Sequence, residues 1–300
     1  MKIFITGSTG FIGFAVAQVI RRAGHDVSGL VRGPEKARIL SQNEIIPVQG
    51  DLLKPETYRE VAEQSNVLIH AAADYQADTV AVDKLTVENL LAACRKGPQP
   101  KTFIFTSGVW VYGNTGATVA DETSALAPPK NVAWRPAHEQ MVLHASHVRG
   151  LVIRPGCVYG KPGSLTGMWF DPASRNEAIR VVGDGRNRWA MVHVDDLADA
   201  YLRALESNLT AELLNVTDRS RARVQDMVEA VARVSSHSAE IVYTPVREAS
   251  QKMGGLAECL ALDQHVDSRK AVRLLGWQPR HGGFVDGIDA YYEAWKAYRA

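Results

Sequence analysis

The chain is predicted to fold as an α/β protein, a doubly wound parallel sheet followed by a smaller C-terminal part, and three observations carry that expectation. Short apolar runs recur at Lys2–Thr6, Val27–Val31, Ile45–Gln49, Val67–Ala72, Lys101–Thr106 and Leu151–Arg154. Stretches of helical periodicity separate them, among them Phe11–Arg22, Pro55–Gln64 and Val80–Arg95. Short strands alternating with helices belong to a parallel sheet covered on both faces. Beyond residue 156 the rhythm breaks, and loop-forming pieces appear at Lys161-Pro162-Gly163, Gly183-Asp184-Gly185 and Gly254-Gly255.

Each element has a local reason. The first strand runs straight into Gly7, and the helix after it stops before Gly24. Val194–Leu205 reads as a helix whose opening acids, Asp195 and Asp196, suit the positive end of a helix dipole. Leu213–Val216 reads as one more strand, and Val224–Val234 and Ile288–Tyr298 as further helices. The expected division is a sheet domain over 1–156, to which the chain returns near 190–217, and a smaller domain over 157–300.

Bulk composition excludes several classes. The 300 residues, 46% hydrophobic, suffice for a large core. Lys+Arg number 34 against 33 Asp+Glu, a net charge of +1, so the basic excess of a nucleic-acid binder is missing. The densest basic cluster, Arg219 to Arg223, reads as a solvated turn. No run approaches the roughly 18 uncharged apolar residues of a spanning helix, so no membrane partner is expected. Met1-Lys2 leads directly into the first strand without a signal-peptide pattern. Three scattered cysteines, Cys94, Cys157 and Cys259, suggest neither a disulfide framework nor a zinc site, and a reducing cytoplasm fits them. His144 and His147 lack a third ligand, so no metal is expected.

The most informative motif is Gly7-Ser8-Thr9-Gly10-Phe11-Ile12-Gly13, between the first strand and the first helix. Gly7 permits the tight turn, Gly10 lets backbone approach a pyrophosphate, and Gly13 packs helix on strand. The helix N-terminus then faces the phosphates. This is the signature of a Rossmann dinucleotide-binding domain. The second strand ends Gly29-Leu30-Val31-Arg32, with Lys36 following and no acid at 30 to 32 to accept ribose hydroxyls. Arg32 and Lys36 therefore favour NADP over NAD, a guanidinium being suited to a 2′-phosphate.

With these residues in view, the chain resembles the extended short-chain dehydrogenase/reductases, the NAD(P)-dependent epimerase/dehydratase family. Thr6 to Gly13 is similar to that family's opening. Further resemblances follow in order: Gly50-Asp51-Leu52, His70-Ala71-Ala72-Ala73, Thr106-Ser107-Gly108 with Val111-Tyr112-Gly113, Arg154-Pro155-Gly156 with Val158-Tyr159-Gly160, Gly183-Asp184-Gly185 with Val192-His193-Val194 and Asp196, and Leu275-Gly276-Trp277-Gln278-Pro279. The resemblance implies that Gly7, Thr9, Gly10, Phe11, Ile12, Gly13, Asp51, Leu52, Ala71, Ala72, Ala73, Arg135 and Pro155 contact the cofactor, with Arg32 and Lys36. It implies an oxidoreductase or epimerase acting on a small molecule through its C-terminal domain. It also implies a homodimer through helices near 80–95 and 132–147.

The family's catalytic tetrad is not preserved. Aligned on Glu139, the Tyr-x-x-x-Lys positions hold Asn131 and Arg135. The serine position falls on Gly108 beside Ser107, and Asp83 stands where the family has a structural Asn. This resembles an atypical branch that keeps the cofactor site without the tetrad. The expected catalytic set is Ser107 polarising a substrate oxygen, Arg135 holding ribose, Asp83 in support and Tyr112 carrying the proton. Tyr159, Tyr75, Asp74 and His138 are further acid–base candidates. Nucleotide-sugar members carry an Arg where Trp189 stands and an Asn where Cys157 stands, which points to a less polar substrate, with Trp110, Trp134, Trp169 and Trp189 as candidate pocket walls. Cys157 reads as a packing residue. The alternative to an enzyme is a non-catalytic NADP-binding sensor.

Overall fold

The computed structural model describes residues 1–73, 78–162, 165–235 and 239–299; Asp74, Tyr75 and Gly163 lie outside them. β1 (Lys2–Thr6) leads into α1 (Phe11–Arg22), β2 (Asp26–Val31), α2 (Pro34–Gln42), β3 (Ile46–Gln49), α3 (Arg59–Gln64), β4 (Val67–His70), α4 (Thr79–Cys94) and β5 (Lys101–Thr106). A short β6 (Val119–Ala120) precedes α5 (Arg135–Leu143), β7 (Val148–Pro155), β8 (Cys157–Tyr159), α6 (Gly167–Ser174), β9 (Ile179–Val182) and β10 (Met191–His193). Then come α7 (Val194–Glu206), β11 (Glu212–Val216), α8 (Val224–Val234), β12 (Ile241–Thr244), α9 (Val246–Met253), α10 (Gly255–Leu260), β13 (His265–Val266), α11 (Arg269–Leu275) and α12 (Ile288–Ala297).

Among the described residues, seven strands form a parallel sheet in the order β11-β7-β5-β4-β1-β2-β3. The period of two along each strand decides which face a side chain joins. Ile3, Ile5, Ile69, Ile104, Leu151 and Ile153 pack with α1 and α7 on one side. Phe4, Leu68, Phe103, Phe105 and Val152 pack with α4 and α5 residues on the other. Strand order reverses at β1, so the carboxyl ends of β1 and β4 flank a crevice, the usual position of a ligand in such sheets.

A further core draws on residues 157 to 295, including Tyr159, Trp169, Phe170, Trp189, Met227, Phe284 and Trp295. A single cut after residue 156 does not separate the cores, because α7, α11 and Trp277 pack on the sheet. Asp196 is the tether. It starts α7 as expected, and it is buried. Its carboxylate accepts the backbone N–H of Arg280 and of His281, each at 3.1 Å, and its carbonyl accepts Trp277 Nε1–H at 2.8 Å.

Boundaries moved where turn chemistry prevailed over periodicity. Pro55–Gln64 splits into a 3-10 turn, Pro55–Thr57, and α3. The helix expected over 132–147, half of the anticipated dimer face, is only Arg135–Leu143. It follows a 3-10 turn at Lys130–Val132, with Pro136 in its first turn. Asp196→Ala would leave two backbone amides without their acceptor. We expect a loss of about 1–3 kcal/mol in urea unfolding; an unchanged midpoint would mean that water satisfies them.

Candidate functional site

The glycine loop forms a cradle that side chains would fill. Gly7 has φ +75°, and a Cβ there would stand 2.6 Å from the backbone of Ala71 and Ala72. A Cβ on Gly13 would stand 2.2 Å from Gly7 O, whereas Gly10 is exposed. α1 starts without a side-chain cap and without an acid in its first turn. The Phe11, Ile12 and Gly13 amides precede the first helical hydrogen bond, from Phe14 N–H to Gly10 O. Such an uncapped, acid-free helix start suits a phosphate. Ser8, which the sequence reading passed over, is buried and donates to Leu30 O at 3.2 Å, fixing the loop to the end of β2.

The other expected cofactor contacts lie mostly at or just after the carboxyl ends of neighbouring strands. Ala71 and Ala72 follow β4 half-buried, Ala73 is exposed, and Thr9 lies half-buried in the loop. Arg32 is exposed just after β2, and Lys36 is exposed in α2. Gly50 N–H bonds Val31 O at 3.0 Å, bringing Asp51 and Leu52 beside the Arg32 turn. Asp51 accepts the Leu53 N–H at 2.9 Å. Pro155 is buried at the end of β7.

Two buried polar networks occupy the expected catalytic region. In the first, Glu139 receives Arg154 through two bonds, Nε at 2.8 Å and a terminal nitrogen at 2.5 Å. Ser107 Oγ also donates to Glu139, at 2.5 Å. The Arg154 guanidinium lies 4.8 Å from the Tyr112 ring centre, and Tyr112 O–H donates to Asn215 at 2.9 Å. Burial pushes the Tyr112 hydroxyl above its usual pKa, partly offset by Arg154. Both expected proton-handling groups are hydrogen-bonded internally: Ser107 gives its one donor to a buried carboxylate, and Tyr112 gives its own to the Asn215 amide.

In the second network, Thr6 Oγ1 and His70 Nδ1 lie 2.6 Å apart, while Asp83 accepts from His70 Nε2 at 3.1 Å and from His138 Nδ1 at 2.6 Å. An ionised carboxylate only accepts, so both facing histidine nitrogens carry protons. Burial by itself would raise the Asp83 pKa; the His138 and His70 hydrogen bonds outweigh it and bring it down to about 2. Asp83 thus crosslinks β4, α4 and α5. His138, an acid–base candidate, is the far end of this crosslink.

Arg135 is placed differently. It is half-buried, and a terminal nitrogen donates to Thr106 O at 3.1 Å, with the guanidinium 4.6 Å from the Trp134 ring centre. A cation thus stands at the carboxyl end of β5. Asn131 lies against α10, where a Cβ on Gly255 would stand 3.1 Å from Asn131 Cβ. Tyr201, also unanticipated, is buried on α7 with its hydroxyl 2.7 Å from Thr106 Oγ1.

The tryptophans do not share one pocket. Trp169 and Trp189 stack at 4.9 Å inside the further core, and Trp189 Nε1–H donates to Leu260 O at 2.8 Å. Trp110 is partly buried against that core, whereas Trp134 packs on His138 and Arg135. Cys157 is buried, and burial pushes its thiol up to about 12. Tyr159 is buried between His193 and Tyr291 rings, and burial raises its pKa. His144 and His147 are exposed. Among the described residues, His193, Asp195 and His281 bring potential metal-ligand atoms within 4.8 Å of one another, but the Lys161 ammonium already pairs with Asp195.

The parallel sheet with a phosphate-ready glycine loop at its reversal point defines a dinucleotide-binding α/β protein. The model of the NAD dependent epimerase/dehydratase family matches residues 3–217, and the chain belongs to that family. A protein of Saccharomyces cerevisiae without assigned function is 28% identical over 97% of this chain and 99% of its own. The 4-hydroxy-2-methyl-3-oxo-4-farnesyl-3,4-dihydroquinoline-1-oxide ketoreductase of Stigmatella aurantiaca is 27% identical over 83% of this chain and 78% of its own. The 3-diazoavenalumate denitrifying reductase of a Streptomyces species is 26% identical over 96% and 99%. Among solved structures, Thermotoga maritima UDP-glucose 4-epimerase with UDP-glucose superposes with TM-score 0.85 at 21% identity over the whole of both chains. Bacillus cereus UDP-glucuronic acid 4-epimerase, with UDP-glucuronic acid and NAD, gives 0.84 at 21% identity, over 99% of this chain and 100% of its own.

Glu139→Gln would leave the Arg154 charge buried without its partner. We expect a loss of about 3–5 kcal/mol in urea unfolding, with faster limited proteolysis as the second readout. Two other groups titrate in opposite senses. Burial, then His281, depresses His193 to about 4, so its share of stability falls as pH drops from 6.5 toward 4. Burial raises Asp218 to about 6, so its share falls as pH climbs from about 4 toward 6. The two oppose each other in the intact protein. Asp218→Asn should make stability rise with pH across this window and His193→Gln should make it fall, each by about 2 kcal/mol; parallel profiles would refute both assignments.

Proposed function

We propose that the chain binds NADP in the glycine-loop crevice and uses it to reduce the carbonyl of a small substrate, or oxidise the matching alcohol, and that this substrate is not a nucleotide sugar. The observation that carries the reading is the pairing of the uncapped glycine cradle with Arg32 and Lys36 beyond β2 and Arg135 at the end of β5. Bound there, the nicotinamide supplies or accepts hydride. Phe11, Ile12 and Gly13 hold the pyrophosphate by their amides, and Arg32 and Lys36 hold the 2′-phosphate. Arg135 anchors ribose and lends positive charge to the developing substrate oxyanion, which takes its proton from solvent water; in the reverse direction the alcohol proton leaves to water. Ser107, Tyr112 and Asp83 are positioning residues in this reading.

The substrate class is supported by Trp189 and Cys157, buried where nucleotide-sugar enzymes place polar groups. Both reductases reported above carry names that describe substrates other than nucleotide sugars. The second reading, a non-catalytic NADP sensor, is favoured by one specific observation: the Ser107 and Tyr112 donors are both committed internally.

Calorimetric titration tests the cofactor. NADP⁺ should bind at least about tenfold more tightly than NAD⁺, and Arg32→Ala should erase the difference, as loss of a charge-assisted contact predicts; equal affinities in the intact protein would overturn the NADP assignment. Turnover of NADPH with a panel of apolar ketones separates enzyme from sensor. Activity that falls about 10²-fold or more in Arg135→Ala supports the enzyme, and tight binding without turnover supports the sensor.

A further inference from the structure

The turn holding Arg219, Arg221 and Arg223 reads in sequence as a solvated charge run, yet it does not lie on an open face. The chain leaving β11 folds it against two distant segments, Arg188–Ala190 and Gln264–Arg269, and the three together line a cleft of about 350 Å³. That volume falls within the range of small-molecule sites, which begins near 300 Å³. Arg188, Arg219, Arg221 and Arg269 all line it. Arg188 reaches Asp263 only at 3.7 Å, and Arg269 pairs with Asp267. Among the described residues, the exposed side chains of Arg219 and Arg221 have no hydrogen-bond or ion-pair partner. His265 lines the same cleft, and its Nε2 is buried without a partner.

Four guanidiniums brought from three separate stretches of chain into one concavity are not explained by solvation, which favours spreading like charges over convex surface. The carboxylates that line the cleft, Asp218 and Asp267, are fewer than the arginines. We propose that this cleft is a binding site for a small dianion, a phosphate-bearing or dicarboxylate molecule, whose oxygens the Arg219 and Arg221 forks would engage. It is separate from the dinucleotide crevice. β11 lies at the sheet edge, four strand spacings from β1, or about 19 Å. Trp189 lies in the wall of the cleft between Arg188 and Ala190, with its ring turned to Trp169 in the further core and the Arg188 side chain turned to Asp263.

Calorimetric titration of the full chain with inorganic phosphate and, separately, with succinate tests the site, each with and without saturating NADP⁺. The same titrations are run on the Arg219→Ser/Arg221→Ser double variant and on Arg32→Ala. Both positions of the double variant are exposed, and circular dichroism verifies its fold. The expected result is saturable binding of at least one probe that persists with NADP⁺ and in Arg32→Ala, and weakens at least about tenfold in the double variant. Phosphate binding alone assigns a phosphate site, and succinate binding alone a dicarboxylate site. Binding of neither probe, binding unchanged in the double variant, or binding lost in Arg32→Ala overturns the proposal.

Discussion

The pairing of Glu139 with Arg154 is the constraint around which the central region is organised. It joins α5 to β7 inside the protein, where two ions are costly to desolvate unless their geometry is good and their remaining valences are met. Here the carboxylate also takes the Ser107 hydroxyl and the guanidinium lies along the Tyr112 ring, while Arg154 Nη1 is buried without a hydrogen-bond partner among the described residues. Because Tyr112 in turn bonds Asn215 on β11, the pair couples α5, the loop after β5, β7 and the sheet edge into one unit.

That arrangement decides what chemistry the crevice offers. Ser107 and Tyr112, expected to handle the substrate's proton, bond Glu139 and Asn215. Histidines 70 and 138 are likewise joined through Asp83, at the end of β4. Among the described residues, the helix start at Phe11 and the guanidinium of Arg135 stand at the carboxyl ends of β1 and β5 as fixed dipole and charge.

The C-terminal part shows the same preference for internal satisfaction. Trp189 gives its indole N–H to Leu260 and its ring to Trp169. Asp196 gives both carboxylate and carbonyl to the chain near 280. These side chains close a core, while the cleft beside β11 gathers arginines that are not all internally paired.

The amino-acid sequence by itself determined the sheet, its helices and the glycine cradle. Those features depend on local rules: apolar periodicity, glycine at a forced turn, and the absence of an acid at the helix start. Phe11–Arg22, Lys101–Thr106 and Val224–Val234 were legible to the residue for that reason. Only the tertiary structure decided that Ser107 would face Glu139, that Asp196 would be a buried tether, and that Arg188, Arg219 and Arg269 would meet. Each outcome depends on partners tens of residues away, and a side chain's hydrogen-bond partner is set by which buried group would otherwise go unsatisfied, a condition that no local pattern encodes.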